Sequence, residues 1–232
     1  MRVELKLLVS LLKLTSNGSV LIENIKREAR IPTSVTENLL QTLQNQDLVQ
    51  IKDNIAEVST HNRLKLAVKA WSLGGDIEQV CELLCWREFE EIAALALRNN
   101  GYTVAKNIHF KHGGRKWEMD VVGCKKPLIV CFDCKHYHQG MSSSATLKIA
   151  EAQGQRTEAL AAMLPSTKMT LDCTKWVRAQ FVPAILSLLP ARVKFCEGIP
   201  IVPVLQLQDF LSQLPMLVAS LICVQREFSH LS

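Results

Sequence analysis

The sequence lacks the features of a membrane or secreted protein. No apolar run is long enough to span a bilayer, because the most apolar late segment covers only residues 214–224 and contains Pro215. The chain also opens without an apolar segment ending in small residues, which a cleavable signal would need. Its eight cysteines have no regular spacing, which argues for a reducing compartment. We expect a cytoplasmic protein without membrane contact, in which residues 214–224 form a buried or dimer-forming helix.

Internal repeats are lacking too, and the net charge is modest. A chain of 232 residues, 48% of them hydrophobic, can form one large domain or two small ones with ordinary buried cores. The net charge of +5 fits a polyanionic partner without requiring one. Its distribution is more informative, since seven Lys or Arg and only three acids lie between Lys106 and His138. The basic surplus therefore surrounds Asp120 and Asp133.

Residues 1–59 have the pattern of a small helical domain with a hairpin. Three segments of helical periodicity are followed by an alternating stretch around the turn 52–54, which predicts two short antiparallel strands. Three helices followed by a two-stranded ribbon resemble a winged helix-turn-helix domain. In that family the helix equivalent to residues 33–46 enters the DNA major groove, and the hairpin turn is the wing tip.

The residues that this resemblance places against DNA are mostly uncharged. They are Thr33, Ser34, Thr36, Asn38, Gln41 and Lys52. Because the helix itself carries so few cations, phosphate contact would depend on neighbours such as Lys26, Arg27 and Arg30. Many winged helices bind proteins instead, so a packing or dimerisation module is the alternative.

The remainder of the chain predicts a helical linker and a larger α/β domain. Residues 60–85 have a helical pattern broken at 73–76, and we assign them to the linker. Residues 86–232 begin with a helix, continue with three strands in a meander, and return through a helix to a further strand. The predicted core is thus α-β-β-β-α-β, of the α/β (α+β) class, followed by one more strand and helix.

Two acidic residues interrupt the apolar strands of this domain. Side chains alternate along a strand, so Asp133 and Lys135 project to the same side. If the preceding strand pairs antiparallel with theirs, Asp120 shares that surface. Two converging carboxylates repel each other unless a cation lies between them, and Mg²⁺ prefers such oxygen ligands. The pattern therefore favours a divalent-metal site that can contact phosphate.

The same segments resemble a known family. Phe89-Glu90, the run 118–123 and Asp133-Cys134-Lys135 are similar to the motifs of the PD-(D/E)XK nuclease superfamily, which has the restriction-endonuclease-like fold. The resemblance is greatest to archaeal Holliday-junction resolvases and modification-dependent restriction enzymes, and it covers about residues 86–205. It implies a core with a mixed central sheet. It also implies a DNA endonuclease that hydrolyses phosphodiester bonds with Mg²⁺ or Mn²⁺ and needs no small-molecule cofactor.

The resemblance also implies roles for individual residues. Its metal ligands would be Glu90, Asp120, Asp133 and the backbone carbonyl of Cys134. Lys135 would position or deprotonate the attacking water, which gives a catalytic set of Glu90, Asp120, Asp133 and Lys135. Two positions depart from the usual motif, since Met119 stands where Pro is named and Asp133 where Glu is commoner.

The choice of the helix acid depends on spacing. Glu90 is preferred to Glu88 and Glu91 because its distance along the chain from Gly101 is the one that helices of this family show. Basic and histidine residues near the acids are further candidates for nucleic-acid contact. They are Lys111, Arg115, Lys116 and His136. We expect a homodimer, because many nucleases cut two strands with two active sites.

Three other interpretations stay open. Cys131 and Cys134 form a C-x-x-C motif with histidines nearby, which suggests zinc binding or redox activity. Residues three apart on a strand face opposite sides, however, which argues against a shared metal ion. Asp133 and Lys135 could be an exposed ion pair on an edge strand. The whole chain could also be a non-catalytic DNA-binding or regulatory protein that uses a nuclease-like domain for assembly.

Overall fold

The chain forms two compact units, residues 1–89 and residues 90–232. The computed structural model describes residues 3–135, 143–165, 171–187, 191 and 193–228. Within these ranges the chain has an α+β fold with one small sheet and one large mixed sheet. The predicted fold class is confirmed.

The first unit has the element order of a winged helix, followed by two more helices. Its elements are α1 (Val3–Leu14), β1 (Val20–Leu21), α2 (Ile22–Ala29), α3 (Thr33–Asn45), β2 (Gln50–Lys52), β3 (Ile55–Glu57), α4 (Thr60–Ser72) and α5 (Ile77–Glu82). The strands form an antiparallel sheet in the order β1-β3-β2. Asp53 and Asn54, between β2 and β3, both have positive φ, as a tight two-residue hairpin requires. The predicted wing is therefore a short hairpin.

Residues 60–85 belong to this first unit rather than standing apart as a linker segment. The guanidinium of Arg63, on α4, donates from Nη1 to the Leu12 carbonyl and the Thr15 hydroxyl, both at 2.6 Å. Its Nη2 donates to the Leu83 carbonyl at 2.7 Å, and its Nε pairs with Glu88. One buried side chain thus ties α1, α4 and the segment after α5 together, which the sequence pattern could not indicate.

The second unit is built around a seven-stranded mixed sheet. Its elements are α6 (Trp86–Asn99), β4 (Thr103–His112), β5 (Arg115–Lys125), β6 (Leu128–Lys135), α7 (Ser143–Met163), β7 (Arg178–Ser187), β8 (Phe195–Cys196), β9 (Ile199–Pro203), α8 (Leu207–Leu217) and β10 (Val224–Glu227). The strand order is β4-β5-β6-β7-β9-β8, and β10 pairs with β7. Strands β4, β5 and β6 are antiparallel, whereas β6, β7 and β9 are parallel. The predicted order α-β-β-β-α-β is confirmed.

Strand β6 lies inside this sheet, between β5 and β7. Every residue from Leu128 to Cys134 is buried, because both faces of the strand are covered. Cys131 and Ile129 pack in the cluster that contains Leu160 of α7, and the ring of Phe132 meets that of Phe210 on α8 edge to face. A continuous apolar run without polar alternation is what such a doubly covered strand needs.

The segment 214–224 does not form the single helix that its apolar composition predicts. Helix α8 ends at Leu217, a 3-10 turn covers Val218–Ser220, and strand β10 begins at Val224. Leu214 is buried, whereas Met216 is 78% exposed. The expectation of a buried helix over these residues was therefore wrong, because apolar composition alone does not say where a helix ends. Among the described residues, none of the helices combines the length and apolarity that crossing a bilayer demands.

Candidate functional site

The pairing of β5 with β6 brings two acids to the same end of the ladder. The ladder ends at the pair Val121 and Phe132, and Asp120 and Asp133 are the next residue on each strand. Both are buried, with Asp120 7% exposed and Asp133 3% exposed. They are close enough for the charge of Asp133 to raise the pKa of Asp120.

Strand β5 changes its alternation next to Asp120. Met119 and Val122 are three residues apart, yet both belong to the cluster that packs against α7. On the neighbouring strand, Lys106 pairs with Val121 and Ile108 with Met119, and Asn107 between them has a φ of 51°. Asn tolerates this left-handed conformation better than most residues. Asn107 thus lies beside Asp120 in the ladder, and residues 119–124 of β5 are all buried.

Asp120 is a buried acid with one strong hydrogen bond. Its Oδ2 accepts from the backbone N–H of Cys134 at 2.7 Å. The pKa of Asp120 is raised to about 6, chiefly by burial and in smaller part by the charges of Asp133 and Glu90, while the Cys134 N–H and Lys135 act in the opposite direction. Negative charge at this position is therefore costly, which a bound cation would relieve.

Asp133 is held between two cations. Its Oδ1 accepts from Lys135 Nζ at 3.0 Å and from Arg156 Nη1 at 2.9 Å. Arg156 Nη1 also donates to Gln153 Oε1 at 2.7 Å, and Gln153 Nε2 donates to the Cys131 carbonyl at 2.6 Å. A hydrogen-bond chain thus runs from the backbone of β6 through α7 and back to Asp133.

Arg156 is the residue of this site that the sequence reading missed. It lies on α7, more than twenty positions beyond Asp133 along the chain, and nothing in the local pattern marks it. The only signal was its place three residues after Gln153 on the helix that follows β6, since side chains three apart share a helix face. Gln153 itself is fully buried and links Arg156 to the backbone of β6.

The three glutamates at the start of α6 have different partners. Glu88 pairs with Arg63 in the first unit and also accepts from the Cys85 N–H. Glu91 pairs with Lys106 and Arg98, and the hydrogen bond from Lys106 lowers its pKa. Glu90 is 5% exposed and its charge contributes to the raised pKa of Asp120. Of the three, Glu90 is the acid associated with the pair on β5 and β6.

The environment of the cysteines does not match the zinc or redox reading. All eight are free, and Cys131 and Cys134 are buried. Burial raises the pKa of both thiols well above the ordinary value, which is the opposite of what a metal-binding or reactive thiolate needs. The described part of the chain also contains no group of three or more His, Cys, Asp or Glu arranged to hold a metal ion. The exposed edge-strand ion pair is likewise excluded, because β6 is an interior strand.

The donor set fits a hard cation better than zinc. Two buried carboxylates and the Cys134 carbonyl offer only oxygen, and Mg²⁺ commonly takes one or two carboxylates while keeping waters and substrate phosphate. A structural zinc site needs four protein ligands, commonly sulfur or imidazole. Asp133 has Lys135 and Arg156 as counter-charges, so a metal would have to share Asp133 with them.

The candidate DNA contacts of the first unit are placed unevenly. Thr33, Ser34, Asn38 and Gln41 are exposed on α3, and Lys52 is exposed at the hairpin. Thr36 is fully buried, and its hydroxyl donates to the Pro32 carbonyl at 3.2 Å. The expectation that Thr36 faces solvent was therefore wrong: it lies four residues before buried Leu40 and seven before Leu43, and so shares their inward stripe.

The basic candidates of the second unit lie at the tip of the β4–β5 hairpin. Lys111 pairs directly with Lys116, and His112 with Arg115, and all four are exposed. Like charges directly opposite on a strand pair destabilise it, so Lys111 and Lys116 form a pair that an anion would relieve. His136 lies outside the described residues.

Comparisons with known proteins find only distant similarity. No family model matches the chain. It is 25% identical over 135 residues to an uncharacterized protein of Archaeoglobus fulgidus, a match that covers 58% of this chain and 95% of that protein. Protein VC1899 from Vibrio cholerae is structurally similar with a TM-score of 0.43 and 15% identity over 94% of this chain and 51% of that chain.

The restriction endonuclease FokI is a weaker structural match. Its TM-score is 0.32, with 14% identity over 92% of this chain and 44% of that chain. The chain thus spans about half the length of both solved structures. At these TM-scores the structural similarity is weak and does not bear on function.

Proposed function

We propose that this chain is a divalent-metal-dependent endonuclease that hydrolyses DNA phosphodiester bonds, with Mg²⁺ or Mn²⁺ as its cofactor. One observation carries the proposal: Asp120 and Asp133 are buried on adjoining strands at the same end of their ladder, with Lys135 and Arg156 around the second carboxylate. Buried acids are expensive to keep charged, and a site that keeps two of them beside two cations suits a phosphate group and a metal ion.

The residues of the site would divide the chemistry as follows. Asp120, Asp133 and the Cys134 carbonyl would hold the metal, with Glu90 contributing charge nearby. When bound, the metal would act as a Lewis acid on the phosphate and lower the pKa of a water. Lys135, held by Asp133 at 3.0 Å, would position that water or stabilise charge growing on the phosphate. Arg156 would keep Asp133 oriented and can donate to a phosphate oxygen.

The outer surfaces would supply binding. The Lys111–Lys116 pair and Arg115 offer phosphate contacts near the site. The exposed face of α3 and Lys52 offer the contacts of a winged helix, with Lys26 already engaged by Glu37 at 2.9 Å. A homodimer remains part of this proposal, with exposed Met216 on α8 as a candidate contact. Light scattering at micromolar concentration tests it, and a monomer mass would contradict it.

Cleavage assays test the proposal directly. Duplex, branched and single-stranded DNA are incubated with Mg²⁺, Mn²⁺ or chelator, and nicked and cut products are separated on gels. We expect metal-dependent cleavage that falls at least about 100-fold in Asp133→Asn and in Lys135→Met. Lys175→Met is the matched control, because Lys175 is an exposed lysine outside the site, and it should cleave normally. Equal activity in Lys135→Met and the wild type would contradict the assignment.

One observation favours a second function. Asp133 is already neutralised by two protein cations, so this carboxylate needs no metal as a counter-charge, which suits a non-catalytic DNA-binding or regulatory protein. That alternative predicts DNA binding that is unchanged in chelator and absence of cleavage with every metal and substrate. Calorimetric titration with Mn²⁺ separates the two, because the second function predicts no heat of binding at this site.

A further inference from the structure

A surface groove of about 490 Å³ lies between the tip of the β4–β5 hairpin and α7. The hairpin contributes His112, Arg115 and Trp117, and the helix contributes Gln155 and Glu158. Its volume is within the range of small-molecule sites. Its mixture of an aromatic ring, a cation, an amide and a carboxylate is unlike an apolar core defect, so the groove suits a planar polar ligand.

The hairpin wall of the groove is a preformed planar surface. The guanidinium of Arg115 lies over the Trp117 ring, 4.1 Å from its centroid. The indole N–H of Trp117 donates to the His112 carbonyl at 3.2 Å, which fixes the ring without any ligand. A stacking partner that is already ordered loses little entropy on binding. Nucleobases stack on aromatic rings and on arginine planes alike.

The α7 side of the groove supplies groups that can form hydrogen bonds with the edge of a nucleobase. Gln155 and Glu158 are three residues apart on α7, share one face and are both exposed. An amide offers a donor and an acceptor, and a carboxylate accepts from the amino groups of a base. A base in a duplex has its Watson–Crick edge paired and its faces stacked on its neighbours, so only an unpaired base can stack on the hairpin wall and offer that edge to these groups.

We propose that this groove binds an unpaired nucleobase of the substrate strand, stacked on the Arg115 guanidinium that Trp117 supports and contacted by Gln155 and Glu158. The choice of a nucleic acid as the source of the base rests on the function proposed above. The groove shares β5 with Asp120 and α7 with Arg156, and Trp117 precedes Asp120 by three positions on β5, about 10 Å along a strand. A strand whose phosphate lies at the acids can thus place a nearby base in the groove.

The test compares the protein's affinity for two duplexes that differ only in whether one unpaired position carries a base. Fluorescence anisotropy in chelator measures the affinity of the full-length protein for a labelled duplex that carries one unpaired adenosine, and for the same duplex with an abasic residue there. A matched RNA duplex forms the second arm, since the same base chemistry is present in RNA. We expect about tenfold tighter binding to the base than to the abasic site, in at least one of the two arms.

Variants assign the preference to the groove. Trp117→Ala should reduce the preference to less than about twofold, and so should the exposed-residue changes Arg115→Gln and Glu158→Gln, which are not expected to disturb folding. Trp71→Ala is the matched control, because Trp71 is an exposed tryptophan of the first unit, and it should retain the tenfold preference. Equal affinity for base and abasic site in the wild type, or a preference that survives in Arg115→Gln and Trp117→Ala, would overturn the proposal.

The outcomes separate this inference from the proposed function. Metal-dependent cleavage without a base preference would support the nuclease proposal and contradict base binding in the groove. A base preference that the groove variants lose would support base binding in the groove. If no metal gave cleavage as well, the nuclease proposal would be contradicted. Failure to bind either nucleic acid would contradict base binding in the groove.

Discussion

Arg156 donates from α7 to the same oxygen of Asp133 that Lys135 contacts, at 2.9 and 3.0 Å. Two cations on one buried carboxylate oxygen form a charge balance that a metal ion would have to alter. Removing one cation should therefore leave more negative charge for a metal, while removing the carboxylate should leave the cations without a partner.

The first prediction concerns metal affinity. Arg156→Gln should bind Mn²⁺ more tightly than the wild type in the absence of nucleic acid, by about fivefold or more, because Asp133 loses a competing cation. Isothermal titration calorimetry measures the affinity. Arg98→Gln is the control, since Arg98 pairs with Glu91 at 3.1 Å on α6, and it should bind like the wild type. Unchanged affinity in Arg156→Gln would show that Arg156 does not compete with a metal.

The second prediction concerns the pH dependence of stability. The pKa of Asp120 rises from an ordinary 3.8 to about 6 on folding, so the folded state binds more protons between these values and stability falls as pH increases through them. Each pKa unit corresponds to about 1.4 kcal/mol, which gives a cost of about 3 kcal/mol above pH 6. Asp120→Asn keeps an acceptor for the Cys134 N–H and removes this cost.

Urea unfolding in chelator checks this expectation. Asp120→Asn should be more stable than the wild type by about 3 kcal/mol at pH 7.5 and by little at pH 3.5. A stability difference that is constant across this range would mean that Asp120 titrates normally. Adding Mg²⁺ should stabilise the wild type and not the variant, because only a ligand that binds the native state raises stability.

The third prediction concerns the buried ion pair of the first unit. Arg63→Ala should lower the free energy of unfolding by about 3–5 kcal/mol, because Glu88 and the Leu12, Thr15 and Leu83 acceptors lose their buried donor. Denaturant unfolding followed by circular dichroism measures the change. Lys13→Ala is the control, since Lys13 pairs with Glu28 in an exposed position and should cost no more than about 1 kcal/mol. Equal losses in the two variants would contradict the buried network.

The fourth prediction concerns the packing of α6 on the large sheet. A Cβ added at Gly123 would lie 2.6 Å from Leu97 Cδ2, so Gly123→Ala should destabilise the protein by about 1–3 kcal/mol. Combining it with Leu97→Ala should cost less than the sum of the single changes, because the smaller residue makes room. At Gly154, in α7, the nearest atom is Ile199 Cδ1 at 3.4 Å. Gly154→Ala should therefore be neutral or stabilising by up to about 1 kcal/mol, and thermal unfolding compares all four variants.

Much of the fold followed from periodicity and turn residues. The alternation around Asp53 and Asn54 predicted the β2–β3 hairpin, and the run 127–135 predicted strand β6, because strand pairing of short segments is signalled by local composition. The end of α8 did not follow, since the residues from Leu214 to Val224 are uniformly apolar and only pairing of β10 with β7 decides that the helix stops. Burial of Thr36 was missed for a related reason: a threonine reads as polar, while its hydroxyl is satisfied within the helix.

For the site, the sequence by itself determined which residue types lie on which strands: an acid on β5, and an acid followed two positions later by a lysine on β6. Alternation along a strand is local, so these placements needed no tertiary information. Only the tertiary structure decided that Arg156 and Gln153 of α7 complete the site, that Glu88 belongs to a different ion pair, and that Trp117 and Arg115 form one wall of a groove. Those relationships join residues far apart in the chain, and they depend on how a helix crosses a sheet, which local pattern does not encode.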